Sequence, residues 1–274
     1  MTPSEIKAAL SALGGGANKK LGQHFLVDPS ALAAIIEAAD IKKGEHVLEI
    51  GPGLGVLTAG LLEQGARVTA IEQDRRFVSF HEKRGVAGLD VTYADAAKLD
   101  WMPLVGKKPW KFVSNLPYSI TSLALRKALW PAHRSSSEGG NEHPPELVVA
   151  LVQREVAERA VAKDGKTSLL SLMVALASRE ARIVKRVPAG AFYPPPKVES
   201  AILKIVPMGL EERLEKWGIE PEKIMALAKK GFAHPRKLLA SNLGVKGEAL
   251  LAAGIPEKAR AEDLSPEAWA RLAL

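Results

Sequence analysis

The chain has 274 residues, 47% hydrophobic and 25% charged, a globular composition with room for one large domain or for a domain of about 200 residues with a small companion. It contains no cysteine, which excludes disulfides and thiolate-bound metals, and no apolar run approaches the roughly 18–20 residues of a membrane-spanning helix. A net charge of +7 and a pI near 9.5 point to an acidic partner, nucleic acid first, and the absence of a secretory leader pattern over Met1–Leu13 predicts a cytoplasmic protein.

Residues 1–20 read as a short helix, a flexible joint at Gly14-Gly15-Gly16 and the basic Asn18-Lys19-Lys20. Asp28-Pro29 opens a helix as N-cap and first residue, with Leu32, Ile35 and Ile36 at helical spacing to about Ala39. His46–Ile50 is a buried-strand pattern that runs into Gly51-Pro52-Gly53-Leu54-Gly55, and a helix leaves that loop through Val56, Leu57, Leu61 and Leu62. The strand Arg67–Ile71 ends at Glu72, a helix covers about Asp74–Lys83, and Asp90–Tyr93 is a third strand ending at Ala94-Asp95. The strand Lys111–Ser114 delivers Asn115-Leu116-Pro117-Tyr118, followed by a helix over Thr121–Trp130. Residues 131–145, rich in Ser, Gly and Pro, read as a mobile loop before the strand Glu146–Gln153. Helices at about Arg154–Ala162 and Ser168–Ser178 follow, then a strand at Ala181–Arg186, a stiff loop at Phe192–Lys197, and a last strand at Val198–Val206 that pairs antiparallel with its predecessor at a sheet edge. Strand and helix alternate, which predicts a mostly parallel sheet wrapped by helices.

After Pro207 no strand pattern remains, and Glu211–Leu274 reads as short helices broken at Gly218, His234-Pro235, Gly244 and Gly254-Ile255-Pro256. Two domains are expected, 1–207 and 208–274. Pro221–Gly247 holds six Lys/Arg against the single acid Glu222, a clustering suited to a contact surface. No two of the six histidines stand at i, i+4 with a carboxylate nearby, so no metal is expected.

Glycines between a strand and a helix let the backbone turn sharply and let a ligand lie against it. Glu72, 21 residues after Gly51, is spaced to accept hydrogen bonds from ribose hydroxyls, and Asp95 at the next strand end can take one from an adenine amine. Each acid alone reads as a helix cap or a solvated acid; glycine loop, acid and acid together, at consecutive strand ends, mark an adenosine-binding site. Gly-x-Gly-x-Gly differs from the Gly-x-Gly-x-x-Gly of dinucleotide sites, and no Walker Lys-Ser/Thr follows it, so S-adenosylmethionine fits best. Asn115–Tyr118, read alone, serves equally as a turn or as a polar ledge beside a stacking platform.

Glu49-Ile50-Gly51-Pro52-Gly53, Asn115-Leu116-Pro117-Tyr118 and Phe192-Tyr193-Pro194-Pro195-Pro196-Lys197-Val198-Glu199-Ser200, with Gln23-His24-Phe25-Leu26 ahead of them, resemble the rRNA adenine N6,N6-dimethyltransferases. The similarity is greatest to the bacterial small-subunit (16S), KsgA-type enzymes, and extends to the macrolide-resistance methylases of the large subunit. It implies the class I, Rossmann-like methyltransferase fold, helices on both sheet faces, with a small C-terminal all-α domain that binds RNA. It also implies S-adenosylmethionine as cofactor, 16S rRNA in a small ribosomal subunit or its precursor as partner, a monomer, and neither metal nor membrane. Gln23, His24 and Leu26 match the segment that closes over the cofactor; Gly51 and Gly53 its methionine side, Glu72 the ribose and Asp95 the adenine. Asn115 and the Leu116 carbonyl match the acceptors of the target amine, with Asn115 also beside the cofactor, Pro117 fixing the carbonyl, and Tyr118 and Phe192 holding the flipped base. Arg154, Lys229, Lys230, Arg236 and Lys237 are the expected RNA contacts, with Arg159, Lys163 and Lys166 as further candidates. Two alternatives accompany this reading, a large-subunit methylase and an rRNA-binding assembly factor for which methylation is secondary.

Overall fold

The computed structural model describes residues 1–106, 108–131, 143–162 and 165–274. Most of the loop expected at 131–145, and the candidate Lys163, lie outside the described residues. In chain order the elements are α1 (Pro3–Ala12), β1 (Phe25–Leu26), α2 (Pro29–Ala39), β2 (His46–Ile50), α3 (Val56–Glu63), β3 (Arg67–Glu72), α4 (Arg75–Arg84), β4 (Leu89–Tyr93), α5 (Met102–Val105), β5 (Trp110–Asn115), α6 (Thr121–Leu129), β6 (Leu147–Gln153), α7 (Arg154–Ala160), α8 (Leu169–Ala177), β7 (Ser178–Val187), β8 (Phe192–Tyr193) and β9 (Ser200–Pro207). The helices α9 (Leu210–Trp217), α10 (Pro221–Gly231), α11 (Leu239–Leu243), α12 (Gly247–Ala252) and α13 (Pro266–Ala273) complete the chain.

Seven strands form one sheet in the order β4-β3-β2-β5-β6-β9-β7. The neighbours from β4 through β6 run parallel, and β9 lies antiparallel to β6. The expected final pair is present as neighbours, with β7 at the edge. From β2 the chain winds outward to β3 and β4, then returns to place β5 on the other side of β2. The loops after β2 and β5 therefore open away from each other at the carboxyl edge, and this topological switch point creates the crevice in which open α/β sheets bind ligands.

Both faces of the central strands are covered. Val47 and Leu48, like Phe112 and Val113, point to opposite sides, and all four are fully buried, which accounts for their unbroken apolar runs. On one face Val47, Val68, Ala70, Val113 and Val149 meet Ile35 and Ala38 of α2 and Leu57 and Leu61 of α3. On the other, Trp101 stacks on Phe112 with ring centres 5.5 Å apart. The Asp28 side chain caps α2 by accepting from the Ser30 and Ala31 amides at 2.7 and 3.3 Å, with Pro29 in the first turn, as the sequence signals. No helix among the described residues is long and apolar enough to cross a membrane.

The chain divides into two compact units, Met1–Ala157 with Arg182–Val206, and Glu158–Ala181 with Pro207–Leu274. The expected boundary at 207 therefore needs correcting: the second unit also takes the segment around α8. The physical reason is that α8 is apolar all round apart from Ser171, so no stripe reveals its neighbours. It packs against α9, α10 and α13, where Trp217 Nε1 donates to the Leu176 carbonyl at 3.0 Å and the Met208 amide to the Ala177 carbonyl at 2.9 Å. Within this unit α10 buries Ile224, Ala228 and Gly231. A Cβ on Gly231 would lie 2.4 Å from the Trp269 ring, so the missing side chain is what admits that ring.

Candidate active site

The crevice at the switch point is lined in part by Gln23, His24, Phe25, Gly51, Gly53, Glu72, Asp95 and residues 115–120. It encloses about 880 Å³ of empty space, part of it open to solvent. Its floor is the glycine loop, where Gly51, Gly53 and Gly55 all take positive φ, 69°, 55° and 80°, a conformation that glycine adopts without steric cost. A Cβ on Gly53 would stand 3.0 Å from Phe25 Cε1, and one on Gly51 3.7 Å from Pro117 Cγ. These bare backbones form a cradle that a side chain would fill.

Glu72, at the end of β3, is 5% exposed. One carboxylate oxygen accepts from the Gly53 amide at 3.1 Å, the other from the Asp74 amide at 2.8 Å. Burial raises its pKa, opposed by those amide donors. The acid thus ties the glycine loop to the next strand end while lining the crevice. Asp95 lines it too and also caps its own turn, Oδ1 accepting from the Ala97 amide at 2.9 Å. That turn is held by Lys127 of α6, whose ammonium donates to the Ala96 and Leu99 carbonyls at 3.1 and 2.6 Å. Trp101 Nε1 donates to the same Ala96 carbonyl at 2.9 Å.

Asn115 ends β5 with its Nδ2 donating to the His24 carbonyl at 3.1 Å. A carbonyl can only accept, so this bond assigns the amide's two ends and leaves Oδ1 as an acceptor. Leu116, next in the chain, donates its amide to the Leu151 carbonyl at 3.1 Å, and its own carbonyl accepts nothing among the described residues. The Tyr118 hydroxyl lies 2.6 Å from Oγ of the fully buried Ser200. The Tyr118 ring stacks on His24 with centres 5.7 Å apart and planes inclined 25°. His24 in turn donates Nδ1–H to the Pro194 carbonyl at 2.7 Å, since that acceptor fixes the tautomer. Three motifs far apart in sequence thus meet around one histidine.

The structure brings Gln23, His24, Gly51, Gly53, Glu72, Asp95 and Asn115–Tyr118 to one crevice. Gln23 also braces its own segment: Nε2 donates to Asp74 at 2.9 Å and Oε1 accepts from the Asn18 amide at 2.7 Å. Two expected residues are not there. Leu26 and Phe192 are register partners in the two-stranded β1–β8 pair, each 3% exposed and packed in the core beneath the sheet. Successive strand residues face opposite sides, so where Leu26 enters the core, Phe25 faces the crevice. Phe25 is a lining residue given no role in the sequence-based expectation, although it stands within the Gln23–Leu26 motif, and a two-residue strand is too short for its facing to be read from the sequence. Ser200 and Lys127, which hold Tyr118 and the Asp95 turn, are likewise given no role there.

Among the expected RNA contacts, Arg154 is paired with Glu199 at 2.5 Å. Lys229, Lys230, Arg236 and Lys237 are exposed on the helical unit, and none has an ion-pair partner among the described residues. Arg159 and Lys166 are exposed also. Among the described residues no group of three or more His, Cys, Asp or Glu is placed to hold a metal ion.

Glu49, one residue before the end of β2 and 1% exposed, is the acid shifted furthest among the described residues. Burial, offset in part by the Thr58 hydroxyl at 2.7 Å and increased by nearby Glu72, pushes its carboxyl up to about 8. Between the ordinary carboxylate range and pH 8 the folded chain holds a proton that the unfolded chain has released, so stability falls as pH rises through that window. Glu49→Gln is expected to gain stability over the parent at pH 8 in urea unfolding, with the gain shrinking toward pH 5. A gain of equal size at both values would show that Glu49 ionises normally.

The comparisons with known proteins agree with this geometry. The family model described as ribosomal RNA adenine dimethylase matches residues 15–274. Ribosomal RNA small subunit methyltransferase A of Dehalococcoides mccartyi is 39% identical, the alignment covering 100% of this chain and 94% of that protein. The protein of the same description from Phenylobacterium zucineum is 38% identical over 94% of this chain and 87% of its own length. Among solved structures, a dimethyladenosine transferase from Plasmodium falciparum superposes with a TM-score of 0.70 at 28% identity, covering 91% of this chain and 96% of that one. The 23S rRNA methyltransferase ErmE does so with 0.68 at 29%, covering 91% and 98%. With its sheet order, its crevice of strand-end acids and glycines, and a family match running almost from end to end, the chain belongs to the ribosomal RNA adenine dimethylases.

Proposed function

We infer that this enzyme transfers two methyl groups to the exocyclic amine of adenines, two adjacent ones, in 16S rRNA during small-subunit biogenesis, with S-adenosylmethionine as donor. The observation that carries the chemistry is the orientation of Asn115, whose Nδ2 is committed to the His24 carbonyl, so that Oδ1 and the Leu116 carbonyl are the acceptors at the crevice. The small-subunit assignment draws on the full-length relatives described by that substrate.

When bound, S-adenosylmethionine supplies an electrophilic methyl group. The residues that would hold it are Gly51 and Gly53 against its methionine part, Glu72 at the ribose and Asp95 at the adenine, with Gln23 and His24 over it. The bare glycine cradle and the two carboxylates suit a neutral ribose and an adenine rather than phosphates. An adenine amine is a poor nucleophile because its lone pair is delocalised into the ring. Asn115 Oδ1 and the Leu116 carbonyl accept its two hydrogens, draw the nitrogen toward tetrahedral geometry and localise that lone pair. No strong base is needed, because the nitrogen becomes acidic as it is methylated; positioning and electrostatics supply the rate. Pro117 lacks an N–H and has φ of −56°, which holds the preceding carbonyl toward the crevice.

Tyr118 is the stacking platform for the extruded base, a contact worth about 1–3 kcal/mol. Its hydrogen bond to Ser200 sets the ring's angle. Tyr118→Phe keeps the ring and loses that bond, and is expected to raise the KM for rRNA about 3- to 10-fold, in line with the roughly 0.5–1.5 kcal/mol of a net hydrogen bond. Steady-state kinetics with saturating donor checks this; an unchanged KM would mean that packing alone orients the ring.

A large-subunit target is the second reading, favoured by the similarity to a 23S rRNA methyltransferase fold. Small-subunit and large-subunit particles incubated with the enzyme and labelled donor, followed by mapping of dimethyladenosine, separate the two. Label confined to the large-subunit RNA would reverse the assignment.

A further inference from the structure

We infer that His81 is a positioning residue for the cofactor loop, its imidazole holding Gly51–Gly55 in the shape that receives the methyl donor. This rests on the reading of the crevice as an S-adenosylmethionine site. His81 sits in the last turn of α4 and is 6% exposed. Its Nε2 lies 2.9 Å from the Gly53 carbonyl; the carbonyl can only accept, so Nε2 carries the proton and donates.

Gly53 is thereby gripped from both ends. Its amide donates to Glu72 and its carbonyl accepts from His81, one partner at the end of β3 and the other on α4. A loop with three glycines at positive φ has many conformations to lose, and ordering it at the moment of binding would subtract from affinity. The two bonds impose that order beforehand. The imidazole also occupies the space under the loop's exit, where a Cβ on Gly55 would lie 2.9 Å from His81 Cε1. His81 is not among the crevice-lining residues, so it acts through the loop and not on the ligand.

The test compares His81→Leu, which keeps bulk and removes the donor, with His81→Gln, whose amide nitrogen can reach the same carbonyl. By titration calorimetry with S-adenosylmethionine, His81→Leu is expected to bind about tenfold more weakly and His81→Gln within about threefold of the parent. The kcat of His81→Leu at saturating donor falls less than the affinity does, and its KM for rRNA stays within about twofold. In the parent protein, the His81 Nε2 proton followed by NMR should exchange with solvent more slowly once the donor is added, a readout that needs no variant. A folded His81→Leu with parental affinity, a His81→Gln as weak as the leucine variant, or an Nε2 proton indifferent to the donor would each overturn the inference. A parent protein that binds no S-adenosylmethionine would instead overturn the cofactor reading on which it rests.

Discussion

Replacing Asn115 with alanine is expected to lower kcat about 100- to 1,000-fold while the Kd values for rRNA and for S-adenosylmethionine stay within about threefold of the parent. The magnitude follows from an oxyanion hole with its signs reversed: there donors meet developing negative charge, here acceptors meet the positive charge that grows on the amine nitrogen. Losing one pre-oriented partner of that kind costs about 10²–10³ in rate. The orientation comes from the chain itself, because the His24 carbonyl holds the Asn115 amide nitrogen at 3.1 Å and so assigns Oδ1 to the substrate. Asn115→Asp sharpens the test. A carboxylate would set an oxygen against the His24 carbonyl, so that variant keeps an acceptor but loses the bond that aims it, and its kcat should fall between alanine and the parent. Single-turnover methyl transfer with filter-binding of rRNA separates the terms. Joint loss of RNA binding and transfer in Asn115→Ala would undo the separation of roles and favour an RNA-binding assembly factor as the primary activity.

Much of this site is legible in the amino-acid sequence, for identifiable reasons. Buried parallel strands announce themselves as short apolar runs, and ligands of such sheets bind where those runs end. Gly51, Glu72, Asp95 and Asn115 can therefore be placed at neighbouring strand ends from the sequence. What stays hidden is what depends on contacts across long stretches of chain. The two-residue strand Phe25–Leu26 is too short for a period, and its facing is set only by pairing with Phe192 and Tyr193. Leu26 and Phe192 consequently go to the core, and Phe25 takes the crevice. A helix such as α8, apolar but for Ser171, carries no stripe to say which unit covers it, which is why a boundary at 207 leaves out Glu158–Ala181. Polar braces are equally illegible. Nothing local in the sequence joins His81 to Gly53, Lys127 to the Ala96 and Leu99 carbonyls, or Tyr118 to Ser200, although each positions a group within the sequence motifs or beside them.

Reversing two charges of the helical unit, Lys229→Glu with Arg236→Glu, is expected to weaken rRNA binding more than tenfold near 50 mM salt and to leave S-adenosylmethionine affinity unchanged. The geometry within that unit explains the choice. Ile224, Ala228 and Gly231 turn one face of α10 inward, so Lys229 and Lys230 project from its exposed last turn. Arg236 and Lys237 follow in the exposed turn after it. Lysines at a helix C-terminus are favoured by the dipole even without a partner, so exposure and charge alone do not make a binding face. Salt dependence distinguishes the two cases. Each phosphate contact releases counterions and contributes about 0.7–0.9 to the slope of log K against log salt, so losing two should flatten it by about 1.4–1.8. A solvated face contributes to no such release, and there the double variant would bind with the parent's slope. A flattened slope with methyl transfer restored at high enzyme concentration would place these residues in RNA capture, leaving Asn115 and the Leu116 carbonyl to carry the chemistry.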